Sequence, residues 1–356
     1  MASTKMHAYP ISSPSDPVVV RARQILRQNL SLSLPLYRRL QFGRFFEATT
    51  LVSNLYALNP DIVLENPESD EWLIAFVDRT CRPETEVWMF ASWEAASSPV
   101  VSDDQISLQD QLLKQLINTI KTLSAPQSLH RETVDQAAAQ QNHDSHNDDD
   151  VDFSGTSRSE YAAHMADSNV MLFGAIHERT VPMLERCGYI RPDIKTGMVP
   201  NHMYTFTVDA LPTTVPTTLP QDLRWGSLQQ QQHFALVRSR TQIPRQDRTL
   251  AVLPNVAIFT GEGDGVPVAW AFAQLDGSLS TLHVEPEWRG RGLAKAVMVK
   301  LFKEKMDMFW EEGVERVAHD YVIKGNGASV GVSKSLGGES AWEVFWCRVD
   351  LNGVGN

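Results

Sequence analysis

The sequence predicts an α/β protein with a mixed sheet, built as two halves joined by a linker. Runs with strand-like alternation and runs with helical apolar spacing follow one another in both halves. With 356 residues, of which 42% are hydrophobic, the chain can form two domains of ordinary size. We therefore expect a tail at 1–30, an N-terminal α/β domain at 31–210, a linker at 211–222 and a second domain at 223–356.

In the first half, strand-like runs follow a helical start near Ser31. These runs extend from Thr50 to Leu58, from Leu73 to Val77 and from Val87 to Ser92. Apolar residues at helical spacing from Leu108 to Leu123 then predict a helix with one buried face. We expect this helix to pack on the first sheet.

A polar insert at about 124–159 interrupts the first half. Its glutamine-rich and acidic composition predicts a disordered loop. His143 and His146 lie beside its aspartates, and a solvated acidic run explains them better than a metal site does. A helix from Thr180 to Arg186 and a strand from Met203 to Val208 are expected to complete this half.

The second half alternates helices and strands in the order α-β-β-β-α-β-α-β, which predicts a mixed sheet with helices on its faces. The predicted elements run from Leu228 to Arg238, Val256 to Thr260, Val268 to Gln274, Ser280 to Val284, Leu293 to Met308, Val314 to Tyr321, Ala328 to Leu336 and Trp342 to Val349.

The most informative segment joins the third of these strands to the helix that begins at Leu293. Gly290 and Gly292 let the backbone approach a ligand, and the unsatisfied N–H groups of the first helical turn favour an anion. Arg289 and Arg291 add positive charge beside those amides. The segment therefore predicts a phosphate-binding turn.

Composition narrows the classes of partner. A formal net charge of -11 argues against nucleic acid or an anionic membrane as the main partner. Three separated cysteines, with no Cys-x-x-Cys pair, suggest neither a disulfide framework nor a zinc site. Neither an apolar run long enough to cross a bilayer nor a signal-peptide core is visible. We expect a cytoplasmic protein, and the arginine-rich, acid-poor segment from Val18 to Phe46 leaves a mitochondrial presequence open.

Two motifs carry a family resemblance. The stretch from Val284 to Ala294, with Arg289-x-x-Gly292-x-Ala294 at its centre, resembles the acyl-CoA-binding motif of the GCN5-related N-acetyltransferase (GNAT) superfamily. The stretch Asn326-Gly327-Ala328-Ser329 is similar to the second signature of the superfamily, in which an asparagine opens a helix. The resemblance implies a GNAT fold in the second half and an acyl-CoA co-substrate.

A narrower resemblance points to glycine N-acyltransferases and FR47-like proteins. The stretch from Gly265 to Trp270 is similar to the strand before their CoA motif, and Asn66-Pro67 resembles a turn in their first half. The first half also looks like a degenerate copy of the second without the glycine turn. The resemblance implies that this half shapes the acceptor pocket and does not bind CoA.

The superfamily's mechanism can be mapped onto the second half. The strand that carries Leu282 is expected to splay from the strand ending at Tyr321 and to offer backbone groups to the pantetheine. A backbone N–H near Val284 would polarise the thioester carbonyl. The resemblance assigns the donor to Leu282, His283, Val284, Arg289, Gly290, Arg291, Gly292, Leu293, Ala294, Asn326 and Ser329. Capping of a helix is an equal explanation for Asn326 and Ser329.

An acceptor amine would then attack acetyl-CoA or another acyl-CoA directly, with no metal and no covalent intermediate. Strand alternation places Asp276, Ser278 and Ser280 on one face. We expect Asp276, or a water held by these serines, to act as the base, although Asp276 also suits a turn. His283 and Glu285 are the alternatives, and alternation directs them to the other face.

The general acid departs from the superfamily's pattern. Many members carry a tyrosine seven residues after the motif asparagine, where this chain has Ser333. We expect Ser333 to act with solvent. The first functional hypothesis is an N-acyltransferase for a small amine or amino acid; the alternatives are a catalytically weak CoA-binding protein and a protein or peptide N-acetyltransferase.

Overall fold

The computed structural model describes residues 5–44, 49–58, 70–82, 84–96, 102–123, 167–190, 198–212, 219–241, 243, 245–261 and 265–353. The predicted disordered insert, with His143 and His146, and the Asn66-Pro67 turn lie outside these residues. The chain divides into two compact units, Met1–Pro200 together with Glu343–Asn356, and Asn201–Trp342. Among the described helices, none is long and apolar enough to cross a membrane.

The strands, in chain order, are β1 (His7–Pro10), β2 (Thr50–Ser53), β3 (Leu73–Val77), β4 (Val87–Ala91), β5 (Val170–His177), β6 (Asn201–Thr207), β7 (Leu223–Gly226), β8 (Asn255–Thr260), β9 (Pro267–Ala273), β10 (Ser278–Val284), β11 (Val317–Ile323) and β12 (Glu339–Asp350). The α-helices are α1 (Pro17–Arg27), α2 (Leu34–Gln41), α3 (Asp103–Thr122), α4 (Val181–Arg186), α5 (Gln231–Ser239), α6 (Asp247–Leu250), α7 (Leu293–Glu304) and α8 (Gly327–Ser335).

The first unit has the strand order β1-β2-β3-β4-β5-β12. β4 and β5 are parallel, and the other neighbouring pairs are antiparallel. The apolar face of α3 supplies much of the core, as its spacing predicts, through the buried residues Leu112, Leu113, Leu116, Ile117 and Ile120.

The second unit has the strand order β7-β8-β9-β10-β11-β6. β10 and β11 are parallel, and the other neighbouring pairs are antiparallel. Phe206 of β6 packs against Phe302 of α7, and the Ser333 hydroxyl of α8 donates to Asp320 of β11. Because Phe206 and Asp320 share one face of the sheet, α7 and α8 cover that face.

Both units use the same element order, β-α-α-β-β-β-α-β-α, followed by a sixth strand. In each unit, the sixth strand comes from the other half of the chain. β6 follows α4 but pairs with β11 of the second unit. β12 follows α8, yet most of it belongs to the first unit and pairs with β5. The repeated order confirms that the first half is a copy of the second. The unit boundaries also differ from the expected limits at 210 and 223.

Several predicted elements need correction. Residues expected within an N-terminal tail form β1 and α1, where Val19, Ala22 and Leu26 are fully buried. The helix from Leu293 was expected to reach Met308 but ends at Glu304, because a separate turn buries Met306 and Phe309 and leaves Met308 exposed. β5, β7 and α6 were not predicted, and β2 is shorter than its predicted strand.

Candidate functional site

The two parallel strands of the second unit separate soon after they meet. β10 pairs with β11 only at Ser278–His319 and Leu279–Asp320. Beyond these pairs, the rest of β10 and the end of β11 border an opening in the sheet. This is the splay that the sequence motif predicts.

A bulge in β10 accounts for the separation. Ser280 lies opposite Phe272 of β9, and His283 lies opposite Trp270, so two residues of β10 face a single residue of β9. The first of them, Thr281, has a φ of 49°. An extra residue bends a strand and increases its local twist, which turns β10 away from β11.

The bulge also reverses the alternation of side chains. Because Ser280 and His283 pair with residues of equal parity on β9, both point to the same face of the sheet. The prediction that His283 and Glu285 point to the opposite face was therefore wrong. It assumed a regular strand, and a single inserted residue inverts every side chain that follows.

The backbone beyond the bulge presents polar groups to the opening. Glu285 donates its N–H to the carbonyl of Val268 on β9 at 2.9 Å. Since successive amides of a strand point to opposite sides, the N–H of Val284 points away from β9, towards the opening. The Val284 carbonyl accepts from Nε of Arg289 at 3.0 Å.

The turn after β10 leaves the start of α7 without a side-chain cap. Gly290 and Gly292 have φ values of 75° and 78°, a region that favours glycine. A Cβ on either glycine would meet no atom within 4 Å. Arg289 and Arg291 are exposed beside this turn, and Arg291 lies 4.6 Å from the ring centroid of Trp288. The arrangement combines free helical N–H groups, open space and positive charge.

The second motif contributes a helix start on the other side of the opening. Oδ1 of Asn326 accepts from the backbone N–H of Ser329 at 3.1 Å and so caps α8. The capping interpretation of Asn326 is confirmed. A Cβ on Gly327 or Gly331 of this helix would also meet nothing within 4 Å.

On the face that Ser280 and His283 share, an aromatic ring and a carboxylate flank the imidazole. Its ring stacks on Trp270 with 4.6 Å between centroids, and its Nε2 lies 3.6 Å from Oε2 of Glu285. Arg240, just after α5, pairs with Glu285 at 3.0 Å. Burial lowers the pKa of His283, with Arg289 and Arg240 acting the same way and Glu285 opposing them. His283 is therefore neutral at pH 7 and can accept a proton.

A second arginine from the same segment reaches this face. Arg245 donates from Nη2 to Oγ of Ser280 at 2.9 Å. With its amide oxygen turned towards the guanidinium, Gln274 accepts from Nη1 and Nη2 of Arg245 at 3.1 Å each. The guanidinium is thus held flat beside the bulge by a hydroxyl and an amide.

Asp276, the predicted base, sits in a fully buried cluster. Its carboxylate accepts from the Ser278 hydroxyl at 2.7 Å and from the Tyr321 hydroxyl at 2.9 Å, and it lies 3.6 Å from Nε2 of His319. Burial raises the pKa of Asp276, but His319, Ser278 and Tyr321 together lower it more. A stabilised carboxylate with occupied lone pairs and no solvent contact is a poor base.

Ser333, the predicted acid, is also buried, and its hydroxyl already donates a hydrogen bond. Its hydroxyl donates to Oδ2 of Asp320 at 2.6 Å, on the face that α7 and α8 cover. A serine hydroxyl in that position cannot reach a ligand without breaking this bond. The structure therefore does not support Ser333 as the direct proton donor.

The family follows from these features together with a comparison. The family model for the N-terminal domain of the acyl-CoA N-acyltransferase verG matches residues 13–207, more than half of the chain. The chain belongs to this acyl-CoA N-acyltransferase family. The model for FR47-like proteins matches residues 255–347, which include the splayed strands and the glycine turn. Both matches confirm the GNAT superfamily and its FR47-like branch.

One solved structure supports the fold of this chain, and two further matches have lower TM-scores. A Drosophila protein matches with a TM-score of 0.57 and 12% identity over 97% of this chain and 99% of its own. A tandem GNAT protein from the clavulanic acid biosynthesis pathway matches with a TM-score of 0.45 and 11% identity over 99% of this chain and 100% of its own. A GCN5-related N-acetyltransferase from Kribbella flavida matches with a TM-score of 0.36 and 12% identity, over 56% of this chain and 76% of its own. No curated protein matches the chain.

The first unit also has a pair of splayed parallel strands. β4 and β5 pair at only two positions, Val87–Phe173 and Trp88–Gly174, before they separate. Its helix α3, which follows β4 as α7 follows β10, begins differently. Ser102 and Gln105 form a capping box there. Because side chains satisfy that helix start, it offers fewer free N–H groups to an anion than α7 does.

The predicted donor residues lie around one opening, whereas Asp276, Ser278 and Ser333, three of the four predicted catalytic residues, are buried. Asp276 and Ser278 form the buried cluster, Ser280 holds Arg245, and Ser333 holds Asp320. Sequence reasoning missed Arg240, Arg245 and Asp320. The arginine-rich end of the helix predicted from Leu228 to Arg238 was the available signal for the first two.

Proposed function

We propose that the protein is an acyl-CoA-dependent N-acyltransferase that transfers an acetyl or other acyl group to the amine of a small molecule or amino acid. One observation carries this proposal. The uncapped start of α7, behind two left-handed glycines, lies at the end of the strand that splays from β11. This combination can hold a pyrophosphate and a pantetheine arm in continuous contact.

The residues around the opening fit an acyl-CoA donor. The N–H groups at the start of α7, with Arg289 and Arg291, would receive the pyrophosphate. Asn326 and Ser329, at the start of α8, border the same opening. The N–H of Val284 is the group best directed to polarise a thioester carbonyl in the opening.

His283 replaces Asp276 as the proposed base. It lies on the strand that carries Val284, it is neutral, and its side chain is partly exposed at 17%. Glu285 stands 3.6 Å away and would stabilise the imidazolium that forms when the acceptor amine loses a proton. Arg240 keeps Glu285 in place through its ion pair. The imidazole is thus supported as the base in a catalytic dyad would be.

Release of free thiol tests the function. The purified protein is mixed with acetyl-CoA and longer acyl-CoAs in the presence of amino acids, small amines or peptides, and CoA thiol is followed over time. Acceptor-dependent thiol release, with an N-acylated product of the expected mass, is the expected result. Tight CoA binding without release by any acceptor would instead favour a CoA-binding protein that is not an enzyme.

Gly292→Ala is expected to weaken donor binding about tenfold. A non-glycine residue in the left-handed region costs about 1–2 kcal/mol, and 1.4 kcal/mol corresponds to a factor of ten in affinity. The turn relieves this strain only by moving its N–H groups away from the ligand. Calorimetric titration with CoA measures the effect.

Gly313 provides a matched control for that substitution. It has a φ of 71° in the turn that precedes β11, outside the glycine turn. Gly313→Ala should lower stability by a similar amount and leave CoA affinity unchanged. Equal affinities for the two variants would contradict the assignment of the turn to the donor.

Arg245→Gln tests whether the acceptor carries a carboxylate. The guanidinium lies on the face of His283, where an acceptor must approach, and suits a carboxylate in geometry and charge. We expect the KM for an amino acid to rise about 10- to 100-fold, as the loss of a charge-assisted hydrogen bond of about 1.5–3 kcal/mol requires. The KM for the matching amine without a carboxyl group should not change.

Arg238→Gln is the control for Arg245→Gln. Arg238 belongs to the same segment, and its guanidinium pairs with Asp247 of α6. This variant should leave both KM values unchanged. If Arg245→Gln raised the KM for both acceptors equally, Arg245 would have a structural role and would not select the acceptor.

A further inference from the structure

The fork between the splayed strands carries a buried carboxyl group. Asp320 is the last residue of β11 that pairs with β10, so it marks the base of the opening. Its side chain is 4% exposed and lies on the face that α7 and α8 cover. It is separate from Asp276, which lies on the opposite face with His319 and Tyr321.

Only one oxygen of this carboxyl group has a hydrogen-bond partner in the described part of the chain. Oδ2 accepts from Oγ of Ser333 at 2.6 Å, whereas Oδ1 is buried without a partner. Among the described residues, Ser333 from α8, Tyr204 from the opposite position on β6 and the apolar Leu279 from β10 lie beside Asp320. His202 lies two residues further along β6 on the same face. Burial and the Ser333 hydrogen bond are the causes that shift the pKa of Asp320, and no neighbouring charge is among them.

These surroundings favour the protonated carboxyl group. A buried carboxylate with an unsatisfied oxygen and no counter-charge is costly. Burial raises the pKa of Asp320 to about 7, against the lowering effect of the Ser333 hydrogen bond. The protonated form is therefore present at neutral pH and carries a transferable proton. Ser333 itself is held by its bond to Asp320.

We propose that Asp320 donates the proton that the departing CoA thiolate takes up, and that Ser333 is a positioning residue for it. This inference rests on the proposed N-acyltransferase function. The amine nitrogen forms a bond to the thioester carbon, and its proton passes to His283. The C–S bond then breaks with its electron pair on sulfur, and the sulfur takes the proton of Asp320. Exchange with water restores both groups.

The balance of charge suits this assignment. After the step, the carboxylate of Asp320 accepts the hydrogen bond of Ser333, which favours the ionised form. A carboxyl group with a pKa of about 7 is acidic enough to protonate a thiolate, whose ordinary pKa is about 8.5. Ser333 thus gives no proton itself and positions Asp320, at the place where many members of the superfamily carry a tyrosine.

Single-turnover rates against pH test the proposal in the full-length protein with acetyl-CoA and an acceptor that supports thiol release. Asp320→Asn keeps the shape of the side chain but has no proton to give. We expect its rate to fall about 100-fold and its profile to lack the decline above about pH 7 that we expect of the wild type. Affinity for CoA should stay within about twofold, and thermal unfolding should show an intact fold.

Ser333→Ala provides the second measurement, which does not depend on Asp320→Asn being folded. The Ser333 hydrogen bond lowers the pKa of Asp320, so its removal raises that pKa. The decline in rate at high pH should therefore move to higher pH. A purely structural role for Ser333 would lower the rate without moving this limb.

Three outcomes would decide against the proposal. Asp320→Asn with an unchanged rate and an unchanged alkaline limb overturns it, and so does Ser333→Ala with an unmoved limb. Absence of acceptor-dependent thiol release by the wild type would refute the proposed function itself. That result is recognised before any variant is made, so the two failures are distinguishable.

Discussion

Replacing His283 with glutamine is expected to lower kcat/KM for the acceptor by about 10²–10⁴-fold, the usual contribution of a general base. The affinity for acyl-CoA should change little, because the proposed donor site consists of the backbone of β10 and the start of α7. Glutamine keeps a polar side chain against Trp270 but cannot take up a proton. Steady-state kinetics with varied acceptor, together with CoA titration, measure both quantities.

The pH dependence identifies the group more sharply than the loss of rate. A base works only when deprotonated, so activity should fall as the pH drops through the pKa of His283. Glu285 raises that pKa, so Glu285→Gln should lower it and move the acid limb of kcat/KM to lower pH. Arg240→Gln should move the limb the other way, because Arg240 lowers the pKa.

His7→Gln on β1 of the first unit is the matched control and should leave the profile unchanged. If His283→Gln retained the wild-type profile and rate, the base would have to be another group. If Glu285→Gln moved the acid limb to higher pH, Glu285 would not raise the pKa of His283, and the proposed arrangement would be contradicted.

Separating the chain at the expected linker should abolish folding of the second half. A fragment of residues 223–356 contains the motifs but lacks β6, which supplies the sixth strand of the second unit. It would expose the edge of β11 and leave β12 without β5. We expect an aggregated or unfolded product, as measured by circular dichroism and size-exclusion chromatography.

The size of the effect follows from the side chains that β6 buries. Met203, Tyr204 and Phe206 are buried in the second unit, and burial of such side chains contributes about 1.5–3 kcal/mol each. Their sum, about 5–9 kcal/mol, is comparable with the whole stability of a domain, about 5–15 kcal/mol. Losing this one strand therefore removes most of the free energy of unfolding of the second unit.

A second fragment serves as the control. Residues 201–342 include β6 and omit the part of β12 that belongs to the first unit. This fragment should fold and should show a cooperative unfolding transition, whereas the fragment 223–356 should show none. If 223–356 folded as well as 201–342, the pairing of β6 with β11 would not be needed for the second unit.

Local sequence information predicted the elements with strong periodic signals. β3 has the predicted limits, α7 begins at the predicted residue, and the glycine turn has the backbone that its sequence requires. These features depend on residues close together in the chain: alternating apolar side chains, a proline after the strand and glycines where φ is positive. The donor side of the candidate site was readable for the same reason.

The proposed acceptor side of the site could not be predicted from the sequence, because it depends on contacts between distant segments. Arg240 and Arg245 reach Glu285 and Ser280 across about 35 to 45 positions of sequence, and no local pattern marks such a pair. The bulge after Ser280 has no sequence signature, yet it decides which face His283 occupies.

The sequence by itself thus determined the family, the glycine turn and most of the elements, since each is encoded by residue types at short spacing. Tertiary structure alone decided which unit receives β6 and β12, and which side chains share the face of His283. Strand pairing is settled by edges and apolar surfaces that meet only in the folded chain. The bulge in β10 shifts the alternation of its side chains by one residue and places His283 on the face of Ser280. His283 therefore replaces the buried Asp276 as the proposed base.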